Sequence, residues 1–289
     1  MTGPRTGAGQ RRFSQVDVFS AHGLRGNPLA VVHDADGLDE ETLAQFARWT
    51  NLSETTFLLP PTDPAADYRV RIFTTGGELP FAGHPTLGSA HAWLEAGGTP
   101  GRPDVVVQEC GLGLVTVRRG ERLAFAAPPL IRAGDVEPAR AREILAALDL
   151  DPARVRGMAW IDNGPGWIGL ELASAEEVLA VEPVPALAGL LKVGLVGRWA
   201  DPGTAGKDVE VRAFYGDGTD FGEDPVTGSL NAGLAQWLVG SGRLPDRYVA
   251  GQGVRRHRDG RVHVERRDGQ VWVGGDTVTT VSGTVRLPG

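Results

Sequence analysis

One short sequence motif occurs twice in the chain, and the two copies constrain the fold more than any other feature. Residues 81–89 read FAGHPTLGS and residues 221–229 read FGEDPVTGS, so phenylalanine, proline, glycine and serine recur 140 residues apart. Solenoid repeats have periods of about 20 to 50 residues, so this much longer spacing indicates two similar domains instead. The chief difference is that His84 in the first copy stands where the second copy has Asp224.

Each copy is predicted to be a turn that enters a helix. The proline suits the first helical position, because the N–H that proline lacks would be unpaired there, and Asp224 and His84 then fall at the N-cap. Residues 88–94 and 228–235 are apolar or small on nearly every side, which predicts two helices enclosed by protein. Their N-terminal N–H groups, brought together, would bind an anion such as a carboxylate.

Composition narrows the class of protein. The 289 residues suffice for one large or two ordinary domains, and 41 glycines and 20 prolines indicate many turns between short strands. A net charge of −7 argues against nucleic acid as a partner, and no apolar run is long enough to span a membrane. Residues 1–12 are polar and glycine-rich, so we expect a loose tail there and not a signal peptide. We therefore expect a cytoplasmic protein.

Cofactor and metal signals are absent from the sequence. Cys110 is the single cysteine, which excludes an internal disulfide and a multi-cysteine metal site. The sequence also lacks a phosphate-binding loop and a dinucleotide fingerprint. We expect no cofactor and no metal.

The hydrophobic pattern predicts many strands and few helices. Strands are predicted at 13–19, 29–32, 53–59, 68–73, 105–107, 114–117, 159–161, 167–172, 193–196, 209–215, 262–266, 270–273 and 277–287. Outer helices are predicted at 40–49, 138–148, 175–179 and 186–191. Asp268-Gly269 predicts a hairpin turn. Residues 118–120 are also predicted to form a hairpin turn, which would mark the domain boundary. In each half, a sheet curled around the small-residue helix would bury that helix.

Four motifs, in this order, resemble the PhzF-like phenazine-biosynthesis isomerase family. They are GNPLAV at 26–31, NLSETTF at 51–57, GHPTLG at 83–88 and EDPVTGS at 223–229. The resemblance implies an α+β, diaminopimelate-epimerase-like fold with two pseudosymmetric domains, each a β-barrel around a central helix, and an active site in the cleft between them. It implies an N-terminal domain of residues 12–118 plus 278–289, with the last strand returning to it, and a C-terminal domain of 119–277. It also implies a homodimer.

The resemblance implies a cofactor-independent isomerase acting as a general acid and base. The reaction would move a proton on a small cyclic or unsaturated amino or hydroxy acid, as trans-2,3-dihydro-3-hydroxyanthranilate isomerase does in antibiotic biosynthesis. Related epimerases use two thiols, one at each central helix, and the position of the lone Cys110 outside both turns excludes that mechanism. The family's base would instead be Glu54, with its pKa raised toward neutrality by burial near Phe57. By residue type alone, an exposed glutamate at a strand start is the simpler interpretation.

The remaining site residues are also carried over from the family. His84 would hydrogen-bond the substrate or move protons, and Asp224 would bind a substrate amine or hydroxyl. Ser229, with the backbone N–H groups near Gly83 and Gly228, would bind the substrate carboxylate. Each has a structural alternative. His84 could be a histidine bonded to backbone at a helix start, Asp224 a plain N-cap, and Ser229 a small residue in a first turn.

Two alternative functions stay open from the sequence. One is a tailoring enzyme of the same fold that migrates a double bond or cleaves a C–C bond in a modified amino acid. The other is a non-catalytic protein that binds a small carboxylate. A binding protein would retain its ligand without exchanging ligand hydrogen for solvent deuterium, whereas either enzyme would change its ligand.

Overall fold

The computed structural model describes residues 9–184, 192–216 and 221–288. The α-helices in these ranges are α1 (Glu40–Thr50), α2 (Gly83–Glu95), α3 (Pro138–Ala147), α4 (Ala175–Ala180), α5 (Pro202–Ala205) and α6 (Gly228–Gly240). Two short 3-10 helices cover Pro152–Arg154 and Val254–Arg256. The helix predicted for 186–191 lies outside the described residues.

Strands dominate the described part of the chain, as their predicted number suggested. They are β1 (Gln10–Val18), β2 (Asn27–Val32), β3 (Glu54–Leu59), β4 (Tyr68–Thr74), β5 (Gly77–Leu79), β6 (Val105–Cys110), β7 (Gly113–Arg118), β8 (Leu123–Ala126), β9 (Arg132–Gly134), β10 (Val155–Asp162), β11 (Ile168–Leu172), β12 (Lys192–Arg198), β13 (Val209–Gly216), β14 (Phe221–Asp224), β15 (Arg247–Gln252), β16 (Gly260–Arg267), β17 (Gln270–Gly275) and β18 (Thr277–Arg286).

The prediction of a loose N-terminal tail at 1–12 is wrong for residues 10–12. Residues 10–12 belong to β1 and pair with residues 284–286 of β18, because an antiparallel ladder there satisfies their backbone groups. Residues 1–8 lie outside the described residues. At the other predicted turn, Asp268 and Gly269 both have positive φ, the conformation that a type I′ hairpin turn requires.

The chain divides into two compact units. The first comprises Met1–Phe125 and Gly274–Gly289, as far as these ranges are described, and the second comprises Ala126–Val273. The limits differ from the sequence-based ones: the chain passes between units after Phe125 and after Val273, whereas the sequence placed these points at 118 and 277. The turn at 118–120 joins β7 to β8 within the first unit, where Arg118 pairs with Ala124.

In the first unit the strands follow the order β18, β1, β2, β3, β4, β6, β7, β8, with β5 also paired to β4. The pairs β2–β3 and β4–β6 are parallel and the others antiparallel. The central helix α2 packs against strands from both ends of this order, including β18, β1 and β7, so the sheet curls around it. On the other face α1 packs on β3 and β4.

The second unit repeats this pattern of pairing. Its strands follow the order β9, β10, β11, β12, β13, β15, β16, with β14 also paired to β13. The parallel pairs are β11–β12 and β13–β15, which occupy the same places as β2–β3 and β4–β6 in the first unit. Helix α6 packs against β10, β11 and β16, and α4 covers β12 and β13. The doubled sequence motif thus reflects a doubled topology.

Both central helices are buried because small residues let strands approach their backbones. Nine residues of α2 and nine of α6 are buried. A Cβ built at Gly88 would lie 2.6 Å from Cδ2 of Leu29, and one at Gly233 would lie 2.5 Å from the carbonyl oxygen of Ile161. Glycine at these positions therefore sets the distance between each helix and its sheet.

We expect Gly233→Ala to lower the free energy of unfolding by about 1–3 kcal/mol, because the added methyl meets a backbone carbonyl that cannot rotate away. The matched control is Gly240→Ala at the end of the same helix, where an added Cβ meets nothing within 4 Å. There alanine's higher helix propensity is expected to add up to about 1 kcal/mol. Urea unfolding of both variants measures the difference, and equal effects would contradict the packing argument.

Candidate active site

Glu54 is held at the start of a rigid buried strand in the first unit. It is the first residue of β3 and lies opposite Leu29 in the parallel ladder with β2. Three positions later the fully buried Phe57 packs edge-on against Phe46 and Phe73, which fixes the strand. The Glu54 side chain is only 16% exposed. The interpretation as an ordinary exposed glutamate is therefore wrong.

His84 lies beside Glu54. It is the second residue of α2, its side chain is 5% exposed, and its Nε2 lies 3.3 Å from Oε2 of Glu54. No described atom accepts a well-aligned hydrogen bond from Nε2. Catalytic contacts are often loose in an unliganded enzyme and tighten around the substrate. The structure thus brings together the carboxylate and the imidazole that the sequence placed 30 residues apart.

Asn27 sets the direction in which the imidazole can donate. Its Nδ2 lies 3.3 Å from Nδ1 of His84, and both side chains are buried. With the Asn27 amide in this orientation its nitrogen donates, so Nδ1 accepts and the ring proton lies on Nε2. His84 therefore presents an N–H toward the Glu54 carboxylate. This role of Asn27 was not predicted from the sequence, although the residue lies within the GNPLAV motif.

The His84 ring is neutral near physiological pH. Burial lowers its pKa from 6.5 to about 3, because the charged imidazolium would lose its hydration. A neutral ring with its proton on Nε2 is a hydrogen-bond donor of fixed direction and not a general base. In the pair formed with Glu54, the carboxylate is therefore the group that can accept a proton.

We expect Asn27→Asp to reverse the His84 tautomer. A carboxylate at position 27 can only accept, so Nδ1 would take the proton and Nε2 would turn a lone pair toward Glu54. Loss of one hydrogen bond to a charged group costs about 1.5–3 kcal/mol, so activity should fall roughly 10- to 100-fold. Nitrogen NMR of the imidazole should show the change from an Nε2–H to an Nδ1–H ring. An unchanged tautomer would contradict the assignment.

Asp224 and His84 do not serve as N-caps, contrary to the sequence prediction. Asp224 ends β14 and pairs with Ala213 of β13, so its backbone belongs to the sheet, and α6 begins four residues later at Gly228. Helix α2 begins at Gly83, with Ala82 as the cap, which places His84 inside the first turn. The Asp224 carboxylate instead accepts a hydrogen bond from the Thr227 hydroxyl at 2.5 Å.

A buried glutamine organises the chain before α6 in the second unit. Gln252 accepts from the backbone N–H of Thr227 at 3.0 Å and from Nδ2 of Asn231 at 3.0 Å. Its own Nε2 donates to the Thr227 hydroxyl and to the backbone carbonyl of Asp224. A fully bonded buried amide of this kind fixes the backbone on both sides of Pro225. Sequence reasoning did not identify Gln252.

A buried ion pair supports the strand that carries Asp224. The Arg212 guanidinium donates to both carboxylate oxygens of Glu223, at 3.0 and 2.9 Å. A third nitrogen donates to the carbonyl of Val181, beyond the end of α4. The two side chains are 4% and 10% exposed, and the bidentate geometry locks β14 against β13. Asp224 therefore projects from a rigid strand.

Ser229 lies in the first turn of α6, half-buried, with a fixed hydroxyl. Its Oγ accepts from Nε1 of Trp167 at 3.0 Å, so the hydroxyl proton remains available to donate. Its backbone carbonyl accepts from Nδ2 of Asn163. Gly83 and Gly228, the first residues of the two central helices, are both buried.

The two units hold their central helices in the same way. In the first, Asn27 at the start of β2 bonds to His84 in the first turn of α2. In the second, Trp167 just before β11 bonds to Ser229 in the first turn of α6. Each loop before these residues is fixed by an aspartate, Asp17 or Asp162, whose carboxylate accepts two backbone N–H groups.

Within the described ranges, neither a metal-ligand cluster nor a membrane-spanning helix is found. No three histidine, cysteine, aspartate or glutamate side chains are grouped there as metal ligands. Among the helices of the described residues, none is long and apolar enough to cross a membrane. Cys110 ends β6, and burial raises the pKa of its thiol.

The chain matches a family model over most of its length. The PhzC-PhzF model, described as phenazine biosynthesis-like protein, matches residues 16–283. A protein of Schizosaccharomyces pombe named Antisense-enhancing sequence 1 is 34% identical over 95% of this chain and 98% of its own length. An uncharacterized isomerase of Pasteurella multocida is 30% identical over 96% of this chain and 94% of its own length.

The chain also resembles an enzyme of named activity over part of its sequence, and two solved structures over most of its fold. Trans-2,3-dihydro-3-hydroxyanthranilate isomerase of Pseudomonas aeruginosa is 51% identical, but over 81 residues, which are 28% of this chain and 29% of that enzyme. A PhzF-family structure from Enterococcus faecalis matches with a TM-score of 0.77 and 23% identity, covering 96% of this chain and 100% of that one. A hydroxyproline epimerase of Agrobacterium vitis matches with a TM-score of 0.56 and 15% identity over 96% and 93% of the two chains.

These likenesses confirm the predicted diaminopimelate-epimerase-like fold, with two pseudosymmetric units each built around a central helix. The homologues of Pasteurella multocida and Pseudomonas aeruginosa are named as isomerases, and this chain is an isomerase too. The family resemblance deduced from the four motifs is confirmed by the match over residues 16–283: the chain belongs to the PhzC/PhzF family of phenazine biosynthesis-like proteins.

Proposed function

We propose that the protein is a cofactor-independent isomerase that shifts a proton between two carbons of a small cyclic or unsaturated amino or hydroxy acid. The observation that carries the proposal is the largely buried Glu54 carboxylate, 3.3 Å from a buried neutral histidine. A carboxylate in this setting can take a proton from an activated C–H and return it to another carbon. The reaction needs no net gain or loss of atoms.

Each site residue has a role in this proposal. Glu54 removes a proton from one ring carbon and delivers the same proton to a second carbon on the same face. His84 donates from Nε2 to a substrate oxygen that gains negative charge, with its direction fixed by Asn27. Asp224 binds a substrate amine or hydroxyl. Ser229 and the backbone N–H groups at Gly83 and Gly228 bind the substrate carboxylate.

The proposed substrate class follows from the named homologue and from the site chemistry. The 51% identity to a trans-2,3-dihydro-3-hydroxyanthranilate isomerase makes that dihydroaromatic amino acid the first candidate. A modified amino acid that undergoes double-bond migration or C–C cleavage in a tailoring step is the second. We further propose that the protein acts in secondary metabolism, as in antibiotic biosynthesis, in the cytoplasm and as a homodimer.

The test is incubation in deuterated buffer with trans-2,3-dihydro-3-hydroxyanthranilate and a panel of cyclic amino and hydroxy acids. We expect one of them to gain one mass unit or to form a product of equal mass, as measured by mass spectrometry and NMR. A compound that binds tightly without exchange or conversion would instead indicate a carboxylate-binding protein. Loss of carbon from a panel member would indicate the cleavage reaction.

A further inference from the structure

One face of the hairpin formed by β13 and β14 is packed against the second unit. Phe214 belongs to the buried core of that unit, and the partly buried Phe221 packs against the same core. The two rings stack with their centroids 6.0 Å apart. Arg212 and Glu223 project from the same face and form the buried bidentate ion pair described above. The side chains of this face are therefore used for packing and ion pairing.

The opposite face of the hairpin carries Asp224. In the antiparallel ladder Ala213 pairs with Asp224, and Tyr215 pairs with Gly222. Residues that lie directly opposite each other, or two apart along a strand, project from the same face of a sheet. These four residues therefore share one face, on which a large aromatic ring and a carboxylate each lie opposite a very small residue.

Gly222 lets the Tyr215 ring lie across β14. A Cβ built at Gly222 would lie 2.8 Å from both Cζ and Oη of Tyr215, closer than a real Cβ approaches a neighbouring atom. Asp224 is two residues further along β14, which places its Cβ about 7 Å from that position. Tyr215 is 43% exposed, so part of its ring surface is accessible on the face that carries Asp224.

A threonine stands at the corresponding place in the first unit. In the β4–β5 hairpin Thr74 pairs with Gly77, and the next pair on that face ends at Leu79. Leu79 lies four residues before its central helix, as Asp224 does, so the two hairpins correspond. Thr74 donates its hydroxyl to the carbonyl of Gly77 at 3.0 Å, which closes its own turn. Of these two described hairpins, the one with Asp224 has the aromatic ring opposite its glycine.

We propose that Tyr215 is a specificity-determining residue, an aromatic wall that contacts the substrate carbons next to the amine or hydroxyl bound by Asp224. This role rests on the proposed function, since it takes Asp224 as a substrate ligand. Aromatic rings attract other planar π-systems in offset-stacked arrangements, an attraction that saturated carbons lack. Tyr215 would thus favour a planar unsaturated ring over a flexible modified amino acid, which distinguishes the two substrate candidates.

The test is the binding of two unreactive probes, 3-hydroxybenzoate and cis-3-hydroxycyclohexanecarboxylate, measured by isothermal titration calorimetry. Both offer a carboxylate and a hydroxyl, and they differ in the planarity of the ring. We expect the wild-type protein to bind the planar probe roughly two- to tenfold more tightly. Tyr215→Leu should remove this preference and Tyr215→Phe should retain it. The preference is a ratio of two affinities, so partial unfolding of a variant leaves it unchanged.

Two further variants sharpen the test. Trp49→Leu is the matched control, because it removes another exposed aromatic ring, 78% exposed on α1, and should keep the preference. Gly222→Ala forces the Tyr215 ring to move, so it should weaken binding of the planar probe. In a Tyr215→Leu background the same glycine substitution should have less than half of that effect, since coupled neighbours are not additive.

Three results would overturn this role for Tyr215. They are a Tyr215→Leu protein that keeps the wild-type preference, a wild-type protein that binds both probes equally or neither, and loss of the preference in Trp49→Leu as well. The measurement needs no turnover, so it is separate from the test of the isomerase. A protein that shows the preference but converts no substrate would refute the proposed reaction and leave Tyr215 as a ligand contact.

Discussion

Glu54→Gln is expected to lower the rate of proton transfer by about 10²- to 10⁴-fold, the usual contribution of a general base. The change keeps the size of the side chain and leaves an oxygen that can accept from Nε2 of His84, 3.3 Å away. An amide cannot take up a proton, so binding should persist while exchange stops. The measurement is conversion of the best panel substrate to its isomer by NMR, together with any solvent-deuterium incorporation, with KM and kcat determined separately.

The matched control for this prediction is Glu41→Gln. Glu41 is 79% exposed on α1 and contacts Arg48, so its removal tests the loss of one negative charge without touching the site. We expect the control to turn over at the wild-type rate. A Glu54→Gln enzyme that also ran at full rate would refute the assignment of Glu54 as the base.

The sequence predicted the fold well because the fold is doubled. Two copies of one motif at a fixed distance indicated two similar units, and the strand order of each unit is repeated in the structure. The apolar and small residues of the two central helices correctly indicated that both are buried. The pairing of β1 with β18, which lie at opposite ends of the chain, has no local sequence signal.

The sequence predicted the main residues of the candidate site, but it did not predict the residues that hold them in place by hydrogen bonds. Motifs identified Glu54 and His84, and only the structure shows them 3.3 Å apart. Asn27 and Gln252 act through side-chain hydrogen bonds over 57 and 25 residues of sequence, distances at which spacing carries no information. The N-cap error at Asp224 has a similar origin, because pairing of β14 with β13 overrode the local helix-start signal.

Below pH 6.5 the folded protein is expected to lose stability steeply because two buried histidines resist protonation. Burial lowers the pKa of His84 to about 3 and that of His33 to about 4, against 6.5 for an unburied histidine. The unfolded chain therefore binds more protons than the folded chain between these values. Stability must fall as pH falls through that range, by up to about 1.4 kcal/mol per pH unit for each histidine.

His33→Gln and His84→Gln isolate these contributions from those of the carboxylates. Each substitution removes one proton-binding site from the unfolded chain, so each variant should lose about 3 kcal/mol less than wild type between pH 7 and pH 4. At position 33 the amide can still bond to the buried Ser14 hydroxyl, which lies 3.0 Å from Nε2 in the wild type. The exposed His22 supplies the control, since His22→Gln should follow the wild-type curve. Urea titrations of the four proteins at pH 7, 6, 5 and 4 measure the free energy of unfolding at each pH. Parallel curves for all four would show that the two imidazoles bind protons as readily in the folded state as in the unfolded state, against the burial argument.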